Sequence, residues 1–215
     1  QDVPPAGINA HELEACFANT GKHIVTESVT SARAARSQIE LATAIAGGQE
    51  AHRARPIFCN FVCTISPLSQ DHGGIEAALE FAAAGVPVGI YPMVTTGVTS
   101  PVTRAGSMAV LNAEVLSGLA LLQIAHPGAK VFYAGGPATI DLRSGAYIAG
   151  SPEALWLRMM VARMARYYGL PSIVGAGATS AKVPGPQAAW ENVLSLLLPS
   201  LAGAGFLFGL GLLDG

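Results

Sequence analysis

The stretch Val86-Pro87-Val88-Gly89-Ile90-Tyr91, followed by the helix-start pair Ser100-Pro101 and closed by Lys130-Val131-Phe132-Tyr133-Ala134, decides the fold. Its two apolar runs show no strict polar alternation, as a strand covered on both faces of a sheet requires. Between them Val102, Met108, Leu111, Val115, Leu119 and Leu122 fall on one helical stripe, which stops at His126-Pro127-Gly128. Ser100 reads as the cap of that helix, with Pro101 at its first position. A strand, a crossover helix and a second strand without hairpin signals make one parallel βαβ step.

The step recurs on both sides. His23–Thr26 and Ile57–Cys63 precede it, and Ser172–Gly175 and Phe206–Leu210 follow. The run starts lie roughly 30 to 45 residues apart, the length of a strand, a helix and their loops. Helices are predicted over Ser31–Ala46, ending at Gly47-Gly48, and over Gly74–Ala84, ending at Gly85. Ser151-Pro152-Glu153 opens another, Tyr168-Gly169-Leu170-Pro171 closes it, and Gln187–Leu201 is the last. No G-x-G-x-x-G loop follows the first strand, and Gly175-Ala176-Gly177 lacks the third glycine. A nucleotide-binding doubly wound sheet is therefore disfavoured against a closed barrel. The prediction is an α/β chain forming a parallel (β/α) TIM-type barrel with about six of eight strand–helix units. Residues 1–215 are expected to form a single domain, an excerpt whose open parallel edges favour a homo-oligomer.

Of the 215 residues, 51% are hydrophobic and 12% charged, against a usual charged share of roughly 25%. The net charge is −2 and no Lys/Arg run occurs, so no nucleic-acid partner is expected. The mean hydropathy of +0.43 raises the question of a membrane. Asn192 to Leu213 has no charge over a spanning length. Pro199 and Gly203, Gly205, Gly209 and Gly211 divide it into a helix to Leu201 and a short strand, so no membrane association is expected. Gln1 to Gly7 lacks an initiator Met and a charged-then-apolar leader, and reads as a cut end. Cys16, Cys59 and Cys63 are odd in number and form no CxxC pair, which suits a reducing cytoplasm. Cys59 and Cys63 read as small buried hydrophobes beside Phe61, and no histidine stands at metal-ligand spacing from them, so no metal site is expected.

In such a barrel chemistry gathers on the loops at the C-terminal ends of strands. After the second run, Thr64 to His72 offers Ser66 as a ligand contact, while Asp71 and His72 beside Gly73-Gly74 read as a helix start. After the third, Thr96 and Thr99 either bind a ligand or satisfy local backbone, before a helix N-terminus that would attract a carboxylate. The fourth loop, Gly135 to Gly150, is the longest, and Asp141 and Arg143 are its only charges; they pin the loop as an ion pair or contact a ligand. Lys182 places a cation at the mouth of the fifth loop or snorkels on the surface, and Asp214 would lie on the same face. No nucleophile–base motif, His-x-x-x-His, P-loop or acidic metal cluster occurs. The residues alone describe a barrel enzyme with neutral polar loops and a borrowed cofactor.

Several motifs stand in one order along the chain. They are Thr64-Ile65-Ser66-Pro67-Leu68, Gly85-Val86-Pro87-Val88-Gly89-Ile90, and Gly97-Val98-Thr99-Ser100-Pro101-Val102-Thr103 with Gly106. Asn112-Ala113-Glu114-Val115-Leu116-Ser117-Gly118, Asp141-Leu142-Arg143-Ser144-Gly145-Ala146, Ala165-Arg166-Tyr167-Tyr168-Gly169-Leu170-Pro171 and Gly209-Leu210-Gly211-Leu212-Leu213-Asp214 follow. In this order and spacing the chain resembles the trimethylamine methyltransferase family over its whole length.

The resemblance implies a longer cytoplasmic TIM-barrel enzyme, of whose eight strands this chain would hold the second to seventh, that passes a methyl group from a small methylated amine to the Co(I) corrinoid of a separate carrier protein. The corrinoid (cobalamin) then belongs to the partner, and none is bound covalently. Trimethylamine enzymes of methanogens contain pyrrolysine, whereas many bacterial relatives lack it and use quaternary amines such as glycine betaine. This chain stops close to where that residue would stand, so both substrate types stay open. A quaternary ammonium already has a neutral amine as leaving group, so the missing acid–base dyad suits this transfer. The protein would hold the cation in an aromatic or carbonyl-lined pocket and orient one methyl. Lys182, Thr96 and Thr99 are the candidates for a betaine carboxylate. Two alternatives remain: an inactive or truncated barrel fragment, and a corrinoid-independent barrel lyase, for which Lys182 would have to serve as a Schiff-base lysine.

Overall fold

The apolar runs become the strands of one sheet, and the stretches between them become helices. In the computed structural model the order is α1 (Ile8–Asn19), β1 (Ile24–Thr26), α2 (Ala32–Ala46), α3 (Gln49–Ala54), β2 (Phe58–Ile65) and α4 (His72–Ala84). Then come β3 (Val88–Tyr91), α5 (Arg104–Ala125), β4 (Val131–Gly135), α6 (Pro152–Tyr167), β5 (Ser172–Gly175), α7 (Pro186–Leu201) and β6 (Phe206–Phe208). The structure describes residues 3–4, 7–27 and 29–213. Strand order in the sheet follows chain order, β1-β2-β3-β4-β5-β6. The pairs β1–β2, β4–β5 and β5–β6 are parallel, with Val25 opposite Cys59, Ala134 opposite Ile173 and Phe208 opposite Gly175. Parallel neighbours joined through helices are the connectivity of successive (β/α) units, so the fold is α/β and a partial TIM-type barrel.

The chain divides into two compact units. The first comprises Gln1–Cys63, Gln70–Gly89 and Ser117–Val131, which carry α1 to α4, β1, most of β2 and the C-terminal part of α5. Backbone bonds from Ile24 to Ile57, Asn60 to Pro87 and Val88 to Lys130 carry the ladder across it at 2.9–3.2 Å. Phe58 and Phe81 meet edge to face at 5.8 Å, both fully buried, and small residues Ala35, Ala42, Ala77 and Ala78 are buried on α2 and α4. Gly47 and Gly85 end these helices in the left-handed conformation the sequence predicts, φ 86° and 83°. Asp71 caps α4 by accepting from Gly74 N at 2.6 Å, so the helix starts at His72, two residues before the predicted Gly74. Helix α1 escaped the sequence reading because it has almost no stripe, with Leu13 its one buried residue. Cys59 is buried and Cys63 half-buried, all three cysteines are unpaired thiols, and burial pushes Cys59 up to about 12 and Cys63 up to about 11.

The second unit comprises Thr64–Ser69, Ile90–Leu116 and Phe132–Gly215, which carry most of β4, all of β5, β6, α6 and α7, and the loops after β3, β4 and β5. Register places Ala134, Ile173 and Phe206 on one face of the sheet, with Gly175 and Phe208 two residues on. Tyr91 packs edge to face against Phe208 with ring centroids 6.1 Å apart. A Cβ on Gly136 or Gly175 would collide with the Tyr91 hydroxyl, so these two glycines make room for it. Helix α5 starts at Arg104 rather than at Ser100. The buried Ser107 hydroxyl donates to Pro101 O at 2.8 Å and sits 2.9 Å from Ser100 Oγ, folding that segment back before the helix begins. Thr103 takes over as the side chain that accepts from Gly106 N. Among the described residues α5 is the helix long and apolar enough to cross a membrane, but its stripe Leu111, Val115, Leu119 and Leu122 is buried within the protein. The last strand ends at Phe208, short of the predicted Leu210, because Gly209 turns the chain at φ 104°.

His52 on α3 is 1% exposed beside Phe58, and neither ring nitrogen has a hydrogen-bond partner. Burial lowers its pKa, and the Lys130 charge adds to the effect. The unfolded chain therefore takes up this proton first, so stability from His52 is full above about pH 6.5 and falls as pH drops through the depressed folded value. Urea denaturation between pH 7.5 and 5 should show this decline, and His52→Leu should flatten it; an unchanged slope in the variant would assign the decline to other groups.

Candidate functional site

The loops at the strand ends are held by carboxylates that reach in from the helices. Glu114, on the buried stripe of α5 between Leu111 and Val115, is 1% exposed. Its Oε2 accepts from Thr64 Oγ1 at 2.5 Å and Ser66 Oγ at 2.8 Å, and its Oε1 from Leu68 N at 2.8 Å. A buried carboxylate is tolerable when its lone pairs are filled, and three donors from one loop fill them. Glu191 on α7 does the same for the fifth loop. It accepts from Thr179 Oγ1 at 2.6 Å, Ser180 N at 2.8 Å and Gln187 Nε2 at 2.8 Å. Burial alone would raise its pKa, but the Thr179, Gln187 and Ser180 donors hold it below the ordinary value. Ser180 Oγ in turn accepts from Ala149 N at 3.0 Å, tying the fourth loop to the fifth.

The third and fourth loops are joined through a small sheet. Thr95–Thr96 pairs in parallel with Ala138–Ile140, which pairs antiparallel with Tyr147–Ile148. Thr139 Oγ1 lies 2.8 Å from Ser151 Oγ, and Ser151 caps α6 through Ala154 N. Beside this sheet opens a cavity of about 830 Å³ lined by Thr96, Arg104, Thr139, Ser151, Glu153 and Trp156, among others. Arg104 lies over the Trp156 ring at 5.1 Å, a cation–π contact that already occupies one aromatic face.

The residues singled out by sequence fall into two groups. Ser66, Thr96 and Thr99 are committed to loop bonds: Ser66 to Glu114, Thr96 to Ser107 at 3.0 Å, and Thr99 Oγ1 to Thr95 N at 2.8 Å. Asp141 bonds Arg143 through that residue's backbone N–H at 2.9 Å and Ser144 Oγ at 2.7 Å. These two donors hold its carboxyl below the ordinary value. The loop is thus pinned by a local turn rather than by the guanidinium, and Arg143 is exposed. Lys182 is also exposed, and Asp214 lies outside the described residues. Among the described residues no group of three or more His, Cys, Asp or Glu side chains could hold a metal ion. Glu114, Glu191, Tyr91 and Arg158 carried no assigned role at the sequence level. The available signal was a charge set among the apolar positions of a helix: Glu114 beside Leu111 and Val115, and Arg158 beside Leu155, Leu157, Val161 and Ala162.

If Glu114 is the anchor of the second loop, Glu114→Gln exchanges one acceptor oxygen for an amide that must face hydroxyl and N–H donors. The variant should lose about 1–3 kcal/mol in urea denaturation and be cut faster by protease between residues 64 and 71. Unaltered cleavage would contradict the anchoring role.

Residues 1–215 match the sequence model of the family described as trimethylamine methyltransferase (MTTB). The chain is 39% identical over 221 residues to trimethylamine methyltransferase MttB of Methanosarcina barkeri, covering 100% of this chain and 43% of that protein. It is 36% identical over 214 residues to trimethylamine methyltransferase MttB of Desulfitobacterium hafniense (strain DSM 10664 / DCB-2), with coverage of 100% and 43%. A glycine betaine methyltransferase of Desulfitobacterium hafniense (strain Y51) is 32% identical over 206 residues, with coverage of 96% and 43%. The chain thus spans less than half the length of these relatives. With the match running from the first residue to the last, the chain belongs to the trimethylamine methyltransferase family.

Proposed function

We propose that the protein carrying this chain transfers a methyl group from a small tertiary or quaternary amine, trimethylamine or a glycine betaine-like compound, to the Co(I) corrinoid of a carrier protein. The observation that carries the reading is the end-to-end match to the trimethylamine methyltransferase family. The corrinoid is a substrate brought by the partner. The methyl carbon's C–N bond breaks with its electron pair left on nitrogen, and a C–Co bond forms as cobalt passes from Co(I) to Co(III). A quaternary ammonium departs as a neutral amine, and trimethylamine does the same when it reacts as its protonated ammonium form and leaves as dimethylamine, so no residue has to deliver a proton. The remaining tasks are binding and orientation.

The aromatic pair Tyr91 and Phe208 supports this reading. Ring faces attract an ammonium centre, and desolvation strengthens the attraction to about 2 kcal/mol or more. In this reading Ser66, Thr96 and Thr99 fix the strand-end loops, and Asp141, Arg143, Lys182 and Asp214 are proposed as substrate contacts. A single domain, a cytoplasmic setting and a homo-oligomer complete the proposal.

The test is an assay of the full-length protein with Co(I) cobalamin under reducing conditions and trimethylamine or glycine betaine. Loss of the Co(I) absorbance with formation of methylcobalamin is expected for at least one amine, and Phe208→Ala should raise KM for that amine about tenfold or more. No methyl transfer from either would overturn the proposal.

A further inference from the structure

Arg158 is the one buried guanidinium on the buried stripe of α6, and it is 3% exposed. Its Nε donates to Pro137 O at 3.4 Å, a weak bond to the first turn of the fourth loop. Its side chain also bonds the Tyr147 hydroxyl, and Tyr91 lies within its electrostatic reach. Nη1 has no partner. Among the described residues no carboxylate forms an ion pair with it. Burial lowers its pKa, opposed by the neighbouring tyrosines.

A guanidinium does not give up its proton in a protein, so burial cannot be relieved by neutralisation. A buried cation with an empty donor costs several kcal/mol unless an anion meets it. The fork geometry of Arg fits a carboxylate, which can accept from two nitrogens at once. Two observations locate the missing anion on the strand-end face rather than in the helix layer. The contacts of Arg158 are Pro137 and Tyr147, both on the fourth loop, and Tyr91 at the end of β3 lies within its electrostatic reach. Tyr147 is 45% exposed, so the guanidinium lies one side chain beneath the surface.

We propose that Arg158 is a carboxylate-binding residue that selects amine substrates carrying a carboxyl group, with the ammonium end against Tyr91 and Phe208. This rests on the amine reading above and adds the substrate class within it. An amine without a carboxylate, such as trimethylamine, leaves Nη1 unfilled and gains nothing from it. Arg158 therefore works as a specificity determinant, and its loss should separate the two kinds of amine.

The test is calorimetric titration of the full-length protein with glycine betaine and with tetramethylammonium, which has the cation without the carboxylate. Binding needs no corrinoid, so this outcome is independent of whether methyl transfer occurs. Arg158→Gln should weaken glycine betaine by about tenfold or more and leave tetramethylammonium within twofold, and Arg158→Lys should recover part of the loss. Equal weakening of both ligands would make Arg158 a structural residue only. Unchanged betaine affinity, or no betaine binding to the unaltered protein, would also overturn the proposal. Circular dichroism of the variant at the assay temperature separates loss of the site from loss of the fold.

Discussion

The candidate site depends on a buried carboxylate accepting several hydrogen bonds from one loop. Glu114 takes Thr64, Ser66 and the Leu68 N–H at once, and Glu191 takes Thr179 and the Ser180 N–H. The helix that supplies Glu114 is packed by its apolar neighbours Leu111 and Val115, so the second loop inherits the rigidity of the core. Ser107 performs the same task with a hydroxyl, gathering Thr96, Ser100 and Pro101. Removing water from these groups makes each bond stronger and makes any unfilled donor or acceptor more costly. That cost is what turns Arg158 from a curiosity of packing into an indication of a ligand.

A methyl transfer to a supernucleophilic acceptor asks little acid–base chemistry of the protein. It asks for a dry, shaped pocket that holds one methyl in line. The second unit offers the materials: aromatic rings at Tyr91 and Phe208, small residues at Ala134, Gly136 and Gly175, and loops locked by internal bonds. The hydroxyl-rich loops, which by sequence could be read as ligand contacts, also hydrogen-bond to Glu114 and Ser107 on α5. Preorganisation of this kind reduces the entropy lost when substrate binds.

The fold was legible because parallel strands buried on both faces write an unambiguous signature, and Gly47, Gly85, Pro101 and Pro152 punctuate it. The errors came where side chains overrule local rules. Ser100-Pro101 carries a proper start signal, yet the Ser107 hydroxyl draws the segment into a turn and α5 begins three residues beyond Pro101, at Arg104. Site residues were harder. Ser66 and Thr96 look the same in sequence whether they bond a ligand or a buried partner, and the partners they do bond, Glu114 and Ser107, lie on α5, outside their own loops. Asp141 and Arg143 suggest an ion pair by charge alone, but a carboxylate two residues before an N–H closes a turn more readily. Arg158 and Glu114 could have been flagged, since a charge on an apolar helical stripe must be answered by something.

In the proposed site, the strand-end face of the second unit binds a zwitterionic amine between an aromatic pair and a buried arginine. A crystal structure of the full-length protein soaked with the unreactive analogue 3,3-dimethylbutyrate, which keeps the shape and carboxylate but lacks the cation, tests it most directly. Its carboxylate is expected on Arg158 and its tert-butyl group against Tyr91 and Phe208. A ligand seated instead in the cavity between Thr96 and Trp156, with Arg158 untouched, would contradict it.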